Sequence, residues 1–409
     1  MTNDPFRLLG GPLDRRAFLR RSTTAVAGVS LFGLAACGDD SSGSGTPATS
    51  DTAAATTAPT TTAAPAAPSI GGDLDFMGWQ GEDLPGAMAA FSEANGITVN
   101  PTYMASSDDI DARFSVGGGG GLDILSYTSA TTPQFEANGR TLAPIDTSRI
   151  PNFGNLFSVF TGDPQSIGLA NSKGEWVMIP HSFGAFGITY DSAAIDEPQA
   201  WADLLTPEFE GRITMPGDPG GNFAMGCRLV DLNPFRCPKD RMEDVADVVR
   251  PFISQSKTIA PSYGDVASLL ASGEVVAAYL GWAALDIFAT YSGADSIRTN
   301  VSPEEGTTTF IDGYGIAQGT DNEDTVYAWI NEVLDPAING AAATELAAGA
   351  TVDGSVEFID PGIAALYPYD DLDGFFENAP AFMNAPAESD EFVTAGEWAQ
   401  RFTALLGEG

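Results

Sequence analysis

Residues 74–103 read LDFMGWQGEDLPGAMAAFSEANGITVNPTY, and they indicate the class of fold. The first four residues are a short, mostly apolar run typical of a strand, and residues 97–103 alternate like a second strand. Between them, Gly96 is placed to end a helix. The apolar residues at helical spacing are Leu84, Ala87, Met88 and Phe91. A strand, a helix and a strand in succession predict an α/β layer with parallel strands.

The same alternation recurs along the rest of the chain. Further strands are expected at residues 122–125, 212–215 and 275–280, and further helices at residues 110–116, 223–232, 242–253 and 266–270. The globular body begins near Ile70, and its length of about 340 residues exceeds what one compact core usually holds. Two lobes are therefore expected.

Residues 14–37 read DRRAFLRRSTTAVAGVSLFGLAAC and predict an export signal over residues 1–36. They combine a cationic segment, an apolar segment too short to span a bilayer comfortably, and small residues before a cysteine. Arg15-Arg16 with Phe18-Leu19 resembles a twin-arginine signal, although Asp14 stands where Ser or Thr is usual. Leu34-Ala35-Ala36-Cys37 resembles a lipobox, which implies lipidation of Cys37. A buried helix that happens to carry arginines is the alternative.

Residues 37–69 form the expected lipidated cysteine and a linker. After the cysteine, this segment consists almost entirely of Gly, Ser, Thr, Ala, Pro and Asp. It lacks the apolar side chains whose burial could offset the entropy lost on ordering, so it is expected to stay disordered. A flexible chain of this length spans roughly 30 Å, which suits a tether between a membrane anchor and a body. A remnant without a role predicts the same disorder.

The charge of the chain is strongly acidic. Without residues 1–36, 13 basic residues stand against 53 acidic ones, a net charge of −40. Nucleic acid is almost excluded as a partner, because a phosphate backbone needs a basic surface. The acidity either attracts cationic ligands or belongs to a lysine-poor surface suited to salty surroundings.

The reactive side chains give few signs of catalysis. Cys227 and Cys237 are a candidate disulfide in an exported protein, or two buried free thiols. Neither cysteine has the neighbours of a metal site, and no metal or cofactor is expected. His181 is the only histidine, so a hydrolase would depend wholly on it, and no nucleophile motif accompanies it. The glycine run at residues 117–121 lacks the Lys-Ser/Thr ending of a phosphate-binding loop.

Several motifs, in order, resemble those of bacterial extracellular solute-binding proteins of ABC importers, and among them the spermidine/putrescine-binding group. The most specific is residues 201–213, WADLLTPEFEGRI, similar to the segment that leads into a strand of the family's second lobe. Residues 273–275 (GEV), residues 303–312 (PEEGTTTFID) and residues 76–79 (FMGW) support it. The resemblance covers about residues 73–335.

This resemblance implies a fold, a location and partners. The fold would be a type II periplasmic-binding-protein fold, with two α/β lobes and a ligand cleft between them. Lobe 1 would comprise residues 70–183 plus about 312–350, and lobe 2 residues 186–308 plus about 351–409. Together with the export signal and the lipobox, the resemblance implies a monomeric substrate-binding lipoprotein on the outer face of the cytoplasmic membrane. It would deliver a small cationic ligand to ABC permease subunits.

The ligand class implies the chemistry of the site. A polyamine needs carboxylates for its ammonium groups and aromatic faces for its methylenes. Carried over residue by residue, the resemblance implies a set of ligand-binding residues: Trp79, Thr128, Asp218, Trp282, Phe310 and Asp312. Two departures stand out, because Gly221 replaces a family glutamate and Ala130 replaces a tyrosine. Glu82 or Asp83 from the first loop is expected to supply the missing charge.

Other functions remain open at this point. The departures at Gly221 and Ala130 favour a ligand with fewer amines, such as a monoamine or quaternary ammonium, or another small solute. A secreted lipid-anchored hydrolase that depends on His181 is a further alternative, and so is a sensory or adhesive lipoprotein.

Overall fold

The protein is described by a computed structural model that covers residues 70–104, 109–110, 113, 120–139 and 142–408. The expected export signal, Cys37 and the linker lie outside the described residues, as does most of the expected helix at 110–116. Within the described ranges, every helix is too short or too polar to cross a bilayer.

Strands and helices alternate along the described chain. The strands are β1 Gly72–Gly78, β2 Ile97–Tyr103, β3 Ile124–Thr128, β4 Ile179–Asp191, β5 Ile213–Pro216, β6 Ser256–Ala260, β7 Ala277–Trp282, β8 Ile297–Asn300, β9 Thr309–Ile316 and β10 Gly349–Ala350. The helices are α1 Ala89–Asn95, α2 Thr132–Ala137, α3 Ser158–Thr161, α4 Pro219–Leu229, α5 Met242–Gln255, α6 Tyr263–Ala271, α7 Leu285–Tyr291, α8 Glu323–Val333, α9 Pro336–Leu346, α10 Pro361–Ala364, α11 Leu372–Asn378 and α12 Ala395–Glu408. The predicted α/β alternation is confirmed.

The strands follow one path in the order β2-β1-β3-β9-β4-β7-β5-β6, with β8 and β10 added beside β4. At each end of the path the neighbours are parallel: β1 with β2 and β3, and β5 with β6 and β7. In the middle, β9 runs antiparallel to both β3 and β4. Two parallel α/β halves are thus connected through the long antiparallel strands β4 and β9.

Strand β4 belongs to both halves. Residues from Ile179 to Ala185 pair with β9, whereas residues from Phe186 to Asp191 pair with β7 and β8. Glycine is required at Gly187, because a Cβ there would lie 2.4 Å from the carbonyl oxygen of Asn300 on β8. The change of partner strand therefore falls between Gly184 and Gly187.

Separate apolar cores fill the two halves. Two core clusters in the first half lie around β1, β3 and β9, and they include Leu125, Phe183 and Tyr314. The core of the second half lies around β5 and β7 with helices α4 and α5, and it includes Met215 and Tyr279. Each parallel sheet is covered by its own helices, which is how such sheets bury both faces.

The carboxyl-terminal residues contribute to both cores. The expected second lobe takes in about residues 351–409. Of these, Tyr367, Leu372, Phe375 and Ala379 pack in a core of the first half. Val393, Trp398, Phe402 and Leu405 pack in that of the second half. Tyr367 lies against the buried Phe183 ring with 5.0 Å between centroids, so aromatic burial holds residues 367–379 to the first half.

The first helix begins later than its apolar spacing predicted. Helix α1 starts at Ala89, whereas the apolar pattern starts at Leu84. Leu84 is fully buried with φ at 46°, a left-handed conformation, and Pro85 follows it, so the helix cannot run through these positions. The end was predicted correctly, since Gly96 caps the helix in a left-handed conformation.

Candidate functional site

The loop after β1 brings acidic side chains to the carboxyl ends of the first-half strands. Glu82 is 5% exposed, and its backbone carbonyl accepts a 2.6 Å hydrogen bond from the Tyr314 hydroxyl on β9. The neighbouring Asp83 points elsewhere, because both its carboxylate oxygens accept from the Tyr103 hydroxyl at 3.1 Å. Of the two acidic residues named for this loop, Glu82 is thus the one beside Asp312.

Asp312 lies in the middle of β9 and is 7% exposed. Its cross-strand partners are Thr128 on β3 and Ser182 on β4. The Thr128 hydroxyl donates a 2.6 Å hydrogen bond to Oδ1 of Asp312. The carboxyl group is therefore fixed by its strand and by one hydroxyl, while its other oxygen is left for another partner.

Glu82 and Asp312 are neighbouring buried carboxyl groups, because their hydroxyl partners Ser126 and Thr128 are two residues apart on β3 and share a face of that strand. Burial raises the pKa of Glu82 well above its ordinary value, and the charge of Asp312 raises it further. Burial also raises the pKa of Asp312 to about 6. Both shifts favour a proton on the pair, and a cation placed beside it would reverse them.

Asp218 follows β5 and stands at the start of α4. Its Oδ2 accepts a 3.2 Å hydrogen bond from the hydroxyl of Tyr263, the first residue of α6. Burial, followed by the charge of Asp218, raises the pKa of Tyr263. A Cβ at Gly221 would lie only 2.6 Å from Oδ2 of Asp218. The glycine that replaces the family glutamate thus leaves room for the Asp218 carboxylate over the first turn of α4.

Aromatic rings lie between the two acidic groups. Trp282, at the end of β7, stacks on Phe310 with ring centroids 5.5 Å apart and planes at 25°. Tyr263 lies 6.2 Å from Trp282, and Phe186 lies 5.5 Å from Phe310. Phe310 and Asp312 are two residues apart on β9 and therefore share a face of that strand. The rings connect the Asp218 side of the site to the Asp312 side.

The backbone just before Trp282 is strained. Leu280 is fully buried with φ at 56°, a left-handed conformation that disfavours a branched side chain. At Gly281 a Cβ would lie 2.0 Å from Oγ1 of Thr189, so only glycine fits. Conformations of this kind cost roughly 1–3 kcal/mol and cluster at binding sites. Here the conformations of Leu280 and Gly281 set the direction of the backbone at the end of β7, and thus the position of Trp282.

The residues named from the sequence fall into two groups and one outlier. On the first-half side, Asp312 accepts from Thr128 and lies beside Glu82. On the other side, Tyr263 joins Asp218 to Trp282, and Trp282 stacks on Phe310. Trp79, which follows β1, packs against a core of the first half. Whether each of these seven residues touches a ligand stays a prediction.

The position of the missing family tyrosine is covered by the carboxyl-terminal chain. Ala130 is buried, and its carbonyl accepts a hydrogen bond from the backbone N–H of Asn384 at 3.2 Å. Nearby, the backbone N–H of Phe382 donates to Thr309 at the start of β9, and the Phe382 ring lies 5.8 Å from Phe186. Residues 382–384 thus run beside the start of β9, next to the site.

Three residues of the site were not named as ligand contacts from the sequence: Ser126, His181 and Tyr263. A signal for Tyr263 was available, because Asp218 and Tyr263 follow the adjacent parallel strands β5 and β6, whose carboxyl ends meet at one edge. Ser126 and His181 lie inside β3 and β4, and only the pairing of distant strands brings them to Glu82.

The geometry does not make a hydrolase triad from Ser126, His181 and Glu82. The Ser126 hydroxyl donates to Glu82 at 2.5 Å and lies 3.0 Å from Nε2 of His181. The acid therefore contacts the serine, whereas a triad needs it on the far nitrogen of the histidine. Nδ1 of His181 is buried with no hydrogen-bond partner among the described residues, and Ser126 is fully buried.

The two cysteines are free, buried thiols. Cys227 lies on α4 and Cys237 precedes α5, both within the core of the second half. Its contact with Cys237 and its burial raise the pKa of the Cys227 thiol, so this thiol stays protonated at neutral pH. Over the described residues, no three His, Cys, Asp or Glu side chains are grouped as a metal site would need.

Comparisons with known proteins give a family and a fold. A family model described as bacterial extracellular solute-binding protein matches residues 123–353, more than half of the chain. The chain is 22% identical over 273 residues to the spermidine/putrescine-binding periplasmic protein of Escherichia coli, and the match covers 64% of this chain and 73% of that protein. It is 23% identical over 361 residues to the putrescine-binding periplasmic protein SpuD of Pseudomonas aeruginosa, covering 78% and 89%.

A solved structure supports the architecture. The spermidine/putrescine ABC transporter substrate-binding protein PotD of Streptococcus pneumoniae matches with a TM-score of 0.65 and 18% identity. The match covers 82% of this chain and 98% of that one. At this identity the likeness concerns the fold, and the predicted two-lobe α/β fold is confirmed.

Proposed function

Because this chain belongs to the family of bacterial extracellular solute-binding proteins, we propose that it captures a polyamine of the spermidine or putrescine kind and delivers it to an ABC permease. The family serves transport, and the geometry of Ser126, His181 and Glu82 agrees with binding without catalysis. The Escherichia coli relative is a spermidine/putrescine-binding protein and the Pseudomonas aeruginosa relative a putrescine-binding protein, which supports this ligand class.

One observation carries the proposal: acidic side chains occur at both ends of a path of aromatic rings. The Glu82–Asp312 pair would take one ammonium group, and Asp218 would take another. Trp282, Phe310 and the half-buried, neutral Tyr263 would contact the methylenes and attract the cations through their ring faces. A buried ammonium needs a paired carboxylate, so two acidic groups imply a ligand with at least two amines.

The export and anchoring of the protein are part of the proposal. Residues 1–36 would direct export by the twin-arginine route, and Cys37 would carry lipid on the outer face of the cytoplasmic membrane. Residues 37–69 would tether a monomeric body. We assign residues 70–183 and about 312–350 to lobe 1 and residues 186–308 to lobe 2. The packing of Tyr367 to Ala379 in a first-half core favours lobe 1 for that stretch as well.

A thermal-shift panel tests the ligand class. The protein is melted with putrescine, spermidine, spermine, agmatine and betaine, each at high and at low salt. A ligand at a hundredfold excess over its dissociation constant raises stability by about 2.7 kcal/mol, which gives a measurable shift. No shift with any amine would remove the polyamine function, while the family assignment would stand.

A second ligand class is favoured by two specific positions. Gly221 replaces a family glutamate, and Ala130, which is buried and bonded through its carbonyl to the backbone of Asn384, replaces a family tyrosine. With fewer polar contacts, the site would suit a smaller amine or a quaternary ammonium. In the same panel, a larger shift with betaine than with putrescine would support this alternative, because betaine has one cationic centre and no N–H donors.

A further inference from the structure

A row of buried polar side chains extends from Glu82 into the first half. The Ser126 hydroxyl on β3 lies 2.5 Å from Oε2 of Glu82 and 3.0 Å from Nε2 of His181 on β4. Ser126 and His181 are 0% and 1% exposed. Water therefore does not compete for these hydrogen bonds, and their direction is set by the protein alone.

The protons along this row can be assigned. A serine hydroxyl has one proton, and Ser126 donates it to the Glu82 carboxyl oxygen. Its oxygen must then accept from His181, so the imidazole carries its proton on Nε2. Within the described part of the chain the other nitrogen, Nδ1, is buried without a hydrogen-bond partner, which agrees with a neutral ring. Burial lowers the pKa of His181 to about 3, so the ring stays neutral near neutral pH.

Glu82 is held at its backbone as well as at its carboxyl group. Tyr314 donates from its hydroxyl to the Glu82 carbonyl oxygen at 2.6 Å, and its ring stacks on His181 with centroids 4.3 Å apart. One face of the Glu82 side chain is thus occupied by Ser126. The other face is directed to Asp312, whose Oδ1 already accepts from Thr128.

A hydrogen bond between two carboxyl groups needs one proton. Two buried carboxylates in contact cannot both stay ionised without a cation beside them, because their repulsion is strong in a medium of low dielectric. The free Glu82–Asp312 pair then holds one proton and one negative charge. This proton belongs to the pair and not to either residue.

We propose that His181 and Ser126 are positioning residues that hold Glu82 against Asp312, so that the pair shares one proton in the free protein and releases it when an ammonium group binds. This inference rests on the proposed function. On binding, the ammonium ion of the ligand keeps its own protons and donates hydrogen bonds to both carboxylates. The shared proton leaves to solvent, so charge and atoms balance.

Among the described residues, the other titratable groups near the pair do not supply this proton. His181 from β4 and Tyr314 from β9 face it directly, and both stay neutral near neutral pH, because burial lowers the pKa of the histidine and raises that of the tyrosine. Asp83 lies in the same loop but is bonded to Tyr103. Glu345 on α9 accepts from the backbone N–H groups of residues 86 and 87.

Calorimetric titration of the full protein with putrescine tests the proton release. At about pH 6.5, titrations in several buffers of different ionisation enthalpy are expected to report release of close to one proton for each ligand bound. The dissociation constant should fall as the pH rises across this range, since fewer protons compete with the ligand. Binding with no proton release would overturn the inference and leave the proposed function standing. Absence of binding by any amine would overturn the proposed function, and with it the inference.

Two pairs of variants test the positioning role. His181→Leu removes the N–H donor, whereas His181→Gln keeps one, so proton release should fall by about half or more in the first and recover in the second. Ser126→Ala should behave like His181→Leu. Unchanged proton release in both Ser126→Ala and His181→Leu would overturn the role of these residues, because a purely structural role would alter stability alone.

If the substitutions at Ser126 and His181 prevent folding, two further variants test the same proposal. Glu82→Gln preserves the shape of the side chain and removes the shared proton, so it should bind putrescine more weakly and with little proton release. Asp218→Asn, in the other half, should also bind more weakly but keep the release. Equal proton release in these two variants would overturn the assignment of the proton to the Glu82–Asp312 pair.

Discussion

Thr128 donates a 2.6 Å hydrogen bond from its hydroxyl to Oδ1 of Asp312, and the two residues are direct partners in the antiparallel pair of β3 and β9. Because β9 also pairs with β4, Asp312 lies in the interior of the sheet and not at its edge. A carboxylate held in this way has few rotamers to choose from. It can therefore present a fixed oxygen to a ligand with little loss of entropy on binding.

Asp312→Asn is expected to weaken putrescine binding at least about tenfold, because an amide keeps the shape but cannot neutralise an ammonium ion. Titration calorimetry near neutral pH measures the change. Asp353→Asn is a matched control, since it makes the same chemical change at an exposed position. Equal affinity of the Asp312 variant and this control would reject the assignment of Asp312.

The Thr128 hydroxyl should matter more at low pH than at high pH. Its hydrogen bond lowers the pKa of Asp312, so Thr128→Val should raise that pKa further. Loss of one hydrogen bond to a charged group costs about 1.5–3 kcal/mol. The affinity of Thr128→Val for putrescine should thus fall further below that of the wild type at about pH 6 than at about pH 8. A uniform loss across this range would contradict the linkage.

The stability of the ligand-free protein should depend on pH because of Asp312. Burial raises its pKa from an ordinary value of 3.8 to about 6, so the folded state holds the proton more tightly than the unfolded chain. This contribution is fully present below the ordinary pKa and is lost as the pH rises through about 6, with a magnitude of at most about 3 kcal/mol. Melting the wild type and Asp312→Asn from about pH 4 to pH 8 measures it. The variant should lose less stability than the wild type as the pH rises.

The stacked rings of Trp282 and Phe310 should contribute to putrescine affinity through cation–π contacts with their faces. Phe310→Leu keeps an apolar side chain but removes the ring that stacks on Trp282, so a cation–π contribution of about 0.5–2 kcal/mol should be lost. Putrescine affinity should therefore fall by about twofold to thirtyfold. Thermal melting without ligand is the control. If affinity is unchanged while stability falls, Phe310 only packs the second half.

The buried thiols should be dispensable for folding. Both cysteines are free, so a Cys227→Ser, Cys237→Ser variant should still fold, at a cost of about 1–3 kcal/mol for each buried hydroxyl. The twin-arginine route carries folded proteins, so this variant should also be exported. Thiol titration of the denatured wild type should find both thiols reactive. Loss of export in the variant alone would point to an essential bridge.

Local pattern predicted much of this protein. The strand at β1 and the end of α1 at Gly96 follow from apolar periodicity and from the conformation that glycine permits. The start of α1 did not follow, because a buried Leu84 in a left-handed conformation is decided by the core it fills and not by its neighbours in sequence. Apolar spacing alone therefore cannot show where packing in the core prevents a helix from forming.

The chain's own residues determined the α/β alternation, the acidic character and the chemistry offered to a ligand: carboxylates, hydroxyls and aromatic rings. Which of them meet was decided only by the tertiary structure. Glu82, Ser126, His181 and Asp312 come from a loop and three strands spread over more than 200 residues, and the pairing of β3, β9 and β4 brings them together. Strand pairing depends on contacts between distant segments, so the sequence could offer Glu82 and Asp83 equally, and the fold directed Glu82 to Asp312.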